Sequence, residues 1–495
     1  MRLLSKSKLI AFRQCPRRLW LEVHRPQLRA DSPRAQAAFR VGNEVGRVAR
    51  QLYDPEGTGE LVDLDVLGFN PALDRTRALL GASRPIFEAG FAARGAVAFA
   101  DVLLPAPVAE ASSWHLIEVK SSASLKDTHR DDAAIQAWIA RGAQLDLASV
   151  RVAHIDTRFV YPGAGDYRGL LREHDLTAEV AARANEVATW VEDAHRVADL
   201  PAAPERATGP HCHSPHECGF LGHCRSLEPQ AEHPAAWLPR VTRRALREFL
   251  ASSGARDLRE VPDELLTEEQ RRVKHCTLTG SVHFDRVATA LALATQPSPA
   301  RFLDFETTQF AVPVWPGTRP HQQIPFQFSL QVLSQDGSLA ESAFLDLSGA
   351  DPRHAFAEAL IASCGSGGAI FVYNAAFEAG RIRELAALLP QHAAALQALA
   401  LRLVDLLPIV QAHFYHPAQQ GSWSIKKVLA AVFPELAHDT LDGVKDGAAA
   451  AGAYQEAIAP TTSPERRAQI EAELRAYCRR DTEALARLWS FLRGA

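Results

Sequence analysis

The sequence predicts a mixed α/β protein of the α+β kind, with two domains and a helical segment between them. Three observations carry this. Strand-like runs alternate with helical periodicity through residues 1–226, the same alternation restarts near residue 300 on an acidic strand, and a cysteine-rich loop at residues 211–224 closes the first series. A chain of 495 residues with 47% hydrophobic and 23% charged residues can bury a full core in each domain.

In the first domain, residues 33–53 read as a helix, with Phe39, Val45, Val48, Ala49 and Leu52 at helical spacing. Strand-like runs follow at 86–91, 96–104 and 114–120, then a helical run at 131–141 and another strand-like run at 150–161. Asp101 lies within the second strand. Glu118 and Lys120 are two apart on the third, so they project from one face. Two carboxylates on adjacent strands suit a divalent cation, which would activate water, and a lysine on the same face would neutralise developing charge. Alone, this pattern is weak, because many exposed strands match it by chance.

Residues 211–224 hold Cys212, Cys218 and Cys224, separated by two five-residue gaps, with only Phe220 and Leu221 to build a core. A bound metal or cluster would supply the missing folding energy. Cys15, followed by Pro16-Arg17-Arg18, is the candidate fourth thiolate of an iron–sulfur shell. A zinc site using some of the four nearby histidines is the alternative. Cysteine usage of this kind favours a reducing, cytoplasmic compartment over a disulfide framework. No run approaches the length of a membrane span, and Ser5-Lys6-Ser7-Lys8 makes a poor signal peptide. The first fifty residues carry twelve Lys/Arg against three Asp/Glu. That is an arm suited to phosphates, although charge runs are more often a solvated helix face.

Residues 227–299 read as a helical connector. The second domain, 300–495, opens on the strand Arg301-Phe302-Leu303-Asp304-Phe305-Glu306, with two carboxylates on one side. Burying both needs a shared cation. Further strands are expected at 326–333, 343–347 and 369–373, with a helix at 352–363. Then come Asn374-Ala375-Ala376-Phe377-Glu378 at a strand-to-helix turn, and Tyr477-Cys478-Arg479-Arg480-Asp481 on a late helix, with Tyr477 and Asp481 on one face. Asp405 reads equally as a site support or a helix cap. Ser424-Ile425-Lys426-Lys427 reads equally as a phosphate-binding helix start or a simple cap.

Cys-Pro-Arg-Arg near the start, Asp101, Glu118-x-Lys120, a helix bearing Gln136 and three closing cysteines together resemble the RecB-like nucleases of the PD-(D/E)xK superfamily. The closest are their iron–sulfur members of the CRISPR-associated and AddB types. The likeness spans about residues 5–226. It implies Asp101, Glu118 and less securely Glu88 as metal ligands, Lys120 as the catalytic lysine and Gln136 as a supporting catalytic-site residue. It implies a [4Fe–4S] cluster on Cys15, Cys212, Cys218 and Cys224. The first cysteine gap is longer than those families use. The later motifs resemble the tyrosine subtype of DEDD exonucleases on a ribonuclease H-like fold. This implies metal binding by Asp304, Glu306, Glu378 and Asp481, with Tyr477 positioning water. Position 378 departs from the family, which carries aspartate there; the extra methylene moves the carboxylate by roughly 1.5 Å, enough to cost an enzyme about 100-fold. The whole chain resembles an uncharacterised bacterial fusion of the two. The function so implied is an Mg²⁺- or Mn²⁺-dependent nuclease acting on DNA, with no membrane partner. The alternatives are an RNA 3′ exonuclease, or a nucleic-acid-binding protein with one or both sites inactive.

Overall fold

A computed structural model describes residues 2–106, 113–296, 298–334, 338–436 and 443–494. The protein is mixed α/β, with mixed parallel and antiparallel sheets. It divides into two compact units. One comprises residues 1–229 with 310–322, and the other 230–309 with 323–495. The segment expected as a connector, 227–299, therefore folds almost wholly within the second unit. Its helix Glu268–Thr279 contributes Val273 and Cys276 to that unit's core, which is why it does not stand apart.

The first unit is organised on a seven-stranded sheet: β1 (Leu4–Ser5), β2 (Glu60–Leu61), β3 (Ile86–Ala93), β4 (Ala96–Pro105), β5 (Trp114–Lys120), β6 (Leu147–Ile155) and β7 (Leu171–Asp175). The order is β2-β3-β4-β5-β6-β7, with β1 pairing parallel to the free part of β4. The strand expected at 150–161 ends at Ile155, because Asp156 turns the chain, accepting from Arg158 N at 3.0 Å. Strand alternation sends Trp114 and Leu116 into one core, with Ala133 to Ala140 of the helix Asp127–Gly142. Ile117 faces the other side, with Phe87, Val102 and Tyr53. Glu118 and Lys120 share the parity of Leu116, so that helix covers the strand face on which they stand. Residues 310–322, which follow the acidic strand, belong to the first unit. Ala311 and Val312 bury against Val45, Val48 and Ile155, which is more favourable than exposing them.

The second unit contains the ribbon of β8 (His283–Phe284) with a later strand, and a five-stranded sheet. Its strands are β9 (Ala300–Thr308), β10 (Ile324–Leu333), β11 (Leu339–Leu345), β12 (Ile370–Val372) and β13 (Leu403–Asp405), and β14 (Phe414–Tyr415) closes the ribbon with β8. Within the segment read as a helical connector, the helix Arg286–Ala294 starts only after His283 and Phe284 have paired with β14, and Asp285 caps it, accepting from Ala288 N at 3.0 Å. The sheet order is β11-β10-β9-β12-β13; β10 is antiparallel to both neighbours, and β9, β12 and β13 are parallel. Helices cover both faces. Phe302 and Phe371 pack with Trp489 of the long helix Pro464–Arg493, while Leu303, Phe305 and Val372 pack with Phe356 and Leu360 of Arg353–Cys364.

One turn in this unit depends on glycine. Gly421 has φ +76°, and a Cβ there would lie 1.6 Å from the Trp237 carbonyl oxygen. Neither that conformation nor that backbone contact yields to a side chain. Gly421→Ala is expected to lower stability by more than the ~1–2 kcal/mol of the left-handed conformation alone, measured by urea unfolding. An unchanged midpoint would remove this contact from the account.

Candidate active sites

The acidic site of the second unit forms where β9 meets the long C-terminal helix. Asp304 and Glu306 are two apart on the central strand, and Tyr477 and Asp481 are four apart on Pro464–Arg493. Carboxylate oxygens of Asp304, Glu306 and Asp481 all lie within 4.8 Å of one another. They border a cavity of about 410 Å³ whose lining also includes Tyr477, Lys426, Phe377 and Gly447. Burial, then the Asp481 charge, pushes Glu306 up to about 8. Burial with the charges of Asp481, Glu306 and Glu378 raises Asp304 well above the ordinary carboxylate range. Metal-free, the cluster therefore resists full ionisation.

Glu378 is less closely gathered. It is buried in the first turn of Ala376–Leu388, outside the 4.8 Å cluster, although its charge acts on Asp304. Burial pushes it up to about 8, and its Oε2 has no hydrogen-bond partner. Asp405 fills both roles open to it. It caps its helix by accepting from Leu407 N at 2.9 Å, and it accepts from Asn374 N and Ala375 N at 2.9 and 3.0 Å. It thereby holds the turn that delivers Glu378, in which Asn374 has φ +77°.

Ser424 caps its helix, accepting from Lys427 N at 3.4 Å. Lys427 Nζ donates to Gln420 Oε1 at 2.8 Å. Lys426 instead borders the cavity, with Nζ 5.5 Å from the centre of the Tyr477 ring and donating to the Lys445 carbonyl at 2.6 Å. It is the cation whose field acts on Glu306. Sequence reasoning treated Lys426 and Lys427 alike, because only the fold separates an inward from an outward lysine at the start of a helix.

The first unit gathers a second charged site. Asp101 accepts from Val119 N at 2.6 Å, which locks β4 to the strand carrying Glu118. Lys120 donates to Glu118 and Asp132, and Gln136 donates to Glu118 from the covering helix. Lys6 Nζ donates to Glu118 Oε1 at 2.8 Å and lies 3.1 Å from Asp132 Oδ1. Burial opposes charge on both lysines, but the surrounding carboxylates outweigh it and raise both. Burial raises Asp101 and Glu88, and the Glu118 charge adds to the rise at Glu88. Burial and the Asp101 charge act upward on Glu118, yet Lys120 and Lys6 hold it below the usual range. Glu88 sits in β3 with φ +55°, an unusual conformation for a strand residue.

Among the described residues, no three of the carboxylates Glu88, Asp101 and Glu118 come within 4.8 Å together. This site is thus gathered around lysines, unlike the carboxylate cluster of the other unit. Sequence reasoning missed Lys6 and Asp132. Asp132 was findable, lying four residues before Gln136 on the same helix face. Lys6 was not, since its partners are more than a hundred residues away. It is placed because Leu4 and Ser5 pair with Ala96 and Val97, and Ser5 then starts the helix Lys6–Gln14.

That helix ends on Cys15. Cys15, Cys212, Cys218 and Cys224 all line one small cavity. Gln14 Nε2 ties the loop down, donating to the carbonyls of His211 and His216 at 2.7 and 2.8 Å. Cys218 N donates to the Cys212 carbonyl at 2.8 Å. Burial pushes the Cys218 and Cys224 thiols up. Among the described residues, no three thiol or imidazole ligand atoms of this loop lie mutually within 4.8 Å.

The fold and these sites define an α/β protein with a buried carboxylate cluster in one unit and a lysine–carboxylate network in the other. A family model described as a domain of unknown function, DUF2779, matches residues 301–424. The match includes Asp304, Glu306 and Glu378 and stops short of Tyr477 and Asp481. No curated protein matches the chain. No described helix is long and apolar enough to cross a membrane.

Proposed function

We propose that the protein is a divalent-metal-dependent nuclease whose principal site is the Asp304, Glu306 and Asp481 cluster. The observation that carries this reading is the convergence of three carboxylates within 4.8 Å, Glu306 and Asp481 buried and Asp304 half-buried, on a central strand and a crossing helix. Such a cluster is costly unless cations share it. The all-oxygen donor set suits Mg²⁺ or Mn²⁺, and the unpartnered Glu378 Oε2 adds one more available donor. The strand order β11-β10-β9-β12-β13 supports the ribonuclease H-like reading. Bound metal would supply an activated water and neutralise charge on the scissile phosphate. Tyr477 holds its hydroxyl as a neutral donor, because burial and then the Asp481 charge raise it. That state suits orienting a water by hydrogen bonding. Lys426 supplies a fixed cation at the edge of the cavity, where a phosphate oxygen would bind.

The first unit is read as a RecB-like nuclease site, with Asp101 and Glu118 as acids, Lys120 as catalytic lysine and Gln136 and Asp132 in support. Lys6 occupies a cation's place beside Glu118. The four cysteines around one cavity are the donor set on which the [4Fe–4S] reading rests, with zinc as the alternative.

The test uses anaerobically purified protein, Mn²⁺ and end-labelled single-stranded DNA and RNA. A 3′-shortening ladder lost in Asp304→Asn and kept in Asp101→Ala assigns the second site, and the preferred polymer identifies the substrate. Lys426→Ala is expected to slow shortening by roughly 10²-fold, the usual cost of removing one charge stabiliser, with Lys427→Ala near wild type. Equal effects would remove the special role of Lys426. Glu378, standing outside the cluster, favours a second reading as a nucleic-acid-binding protein. Binding without hydrolysis in either metal would establish it.

A further inference from the structure

Away from the acidic cavity, the second unit carries a convergence of metal-ligating groups that the nuclease reading does not use. The helix Arg353–Cys364 puts His354 and Glu358 four residues apart on its outward face. Its inward face is fixed in the core by Phe356, Ala357 and Leu360. His392 ends the short turn Pro390–His392, next to the helix Ala393–Ala400, and its backbone N donates to the Leu389 carbonyl at 2.9 Å. Leu389 and Leu396 join the same core. Both backbones that carry these ligands are therefore held from beneath by packing.

Their side chains meet without bonding. His354 Nδ1 is 3.6 Å from Glu358 Oε2, and His392 Nε2 is 3.6 Å from Glu358 Oε1. The two rings stand 5.6 Å apart at 74°. A distance of 3.6 Å is too long for a nitrogen–oxygen hydrogen bond, which needs about 2.7–3.2 Å. It is close to the edge of a ligand tetrahedron. Metal–nitrogen and metal–oxygen bonds of about 2.0–2.2 Å set neighbouring ligand atoms roughly 3.3–3.6 Å apart. Each imidazole faces a different oxygen of the one carboxylate, and one atom from each residue lies within 4.8 Å of the others.

The surroundings match as well. Gln391 Nε2 lies 3.4 Å from His354 Nε2. If Nδ1 of His354 holds a metal, its Nε2–H needs an acceptor. The carboxamide supplies one by a half-turn that exchanges its oxygen and nitrogen, which occupy equivalent positions.

We propose that His354, Glu358 and His392 form a binding site for a zinc-class transition ion, with Gln391 orienting His354. Two imidazoles and one carboxylate select such an ion over Mg²⁺ or Ca²⁺. Three protein ligands leave a position for water. The ion clips the helix Arg353–Cys364 to the turn that precedes Ala393–Ala400. The inference does not rest on the nuclease reading, and no residue of the site borders the acidic cavity.

The full-length protein, freed of loosely held metal by chelation, is titrated with Zn²⁺ alone against a competing chromophoric chelator. Wild type is compared with His392→Ala, Glu358→Gln and Gln391→Ala. Every other metal site is common to all four proteins, so the difference isolates this one. The expected result is one fewer tight equivalent in His392→Ala and Glu358→Gln, and about 10-fold weaker binding in Gln391→Ala. Co²⁺ as a probe should lose the matching share of visible absorption. Mn²⁺-dependent nuclease activity should be unchanged in all three variants, whose positions lie outside the acidic cluster. Equal zinc stoichiometry and affinity in wild type and His392→Ala would overturn the site, as would zinc binding by wild type at millimolar concentration only. Glu358→Gln keeps the shape of the side chain, so its result stands even if His392→Ala folds poorly.

Discussion

Replacing Asp304 with asparagine is expected to abolish 3′ shortening, by about 10²–10³-fold or more, while stabilising the metal-free protein. Both effects have one cause. Asp304 is the carboxylate on which the charges of Asp481, Glu306 and Glu378 all act. In the proposed metal-bound state it would be the member of the cluster least replaceable by a neutral group. In the metal-free fold it is a charge that burial and its neighbours oppose. Burial likewise pushes Glu306 and Glu378 up to about 8. Between the ordinary carboxylate range and about pH 8, the folded protein therefore holds protons that the unfolded chain has released. Stability from these groups is present in full below the ordinary range and is lost as pH rises toward 8.

Melting temperatures without metal, taken from pH 5 to 9, should fall more steeply for wild type than for Asp304→Asn. Added Mn²⁺ should raise the wild-type value more at pH 8 than at pH 6, because it offsets a repulsion that grows with ionisation. An equal Mn²⁺ shift in the variant and the wild type would mean that the cluster does not hold the metal.

Cys15→Ser is expected to remove the iron and inorganic sulfide from anaerobically purified protein and to open the 208–228 loop to proteolysis. Cys15 is the one thiol of the four outside that loop, and it ends the helix that begins at Lys6. The loop's own apolar contribution is small: Phe220 packs with Leu21 and Cys218, and Leu221 lines the small cavity. Side-chain hydrogen bonds from Gln14 Nε2 to two loop carbonyls, and backbone bonds such as Cys218 N to the Cys212 carbonyl, remain without the cluster. They do not match ligand binding as a source of folding energy. Because the same helix carries Lys6 against Glu118, cleavage assigned to the first unit should fall in Cys15→Ser, while 3′ shortening by the second unit persists. Zinc in place of iron in the wild-type protein would point to the rival metal. Full retention of iron in Cys15→Ser would exclude Cys15 as a ligand.

Much of this was legible in the chain because it is local. Period-two spacing put Glu118 with Lys120 and Asp304 with Glu306, four-residue spacing put Tyr477 with Asp481, and the helix at 33–53 and the strand at 114–120 follow from periodicity alone. By itself the sequence determined the mixed α/β class, the acidic strand and the residue types available for chemistry. Only tertiary structure decided which of them meet. Strand pairing at residues 4–5 brought Lys6 to Glu118, burial against Val45 and Val48 drew residues 310–322 into the first unit, and the fold aimed Lys426 at the acidic cavity while Lys427 turned to Gln420. It also left Glu378 beside the cluster rather than in it, and brought His392 to His354 and Glu358. The reason is physical. Spacing along a helix or strand fixes which side chains share a face, but the partner of that face is chosen by burial and pairing between segments far apart in sequence, and that choice leaves no local trace.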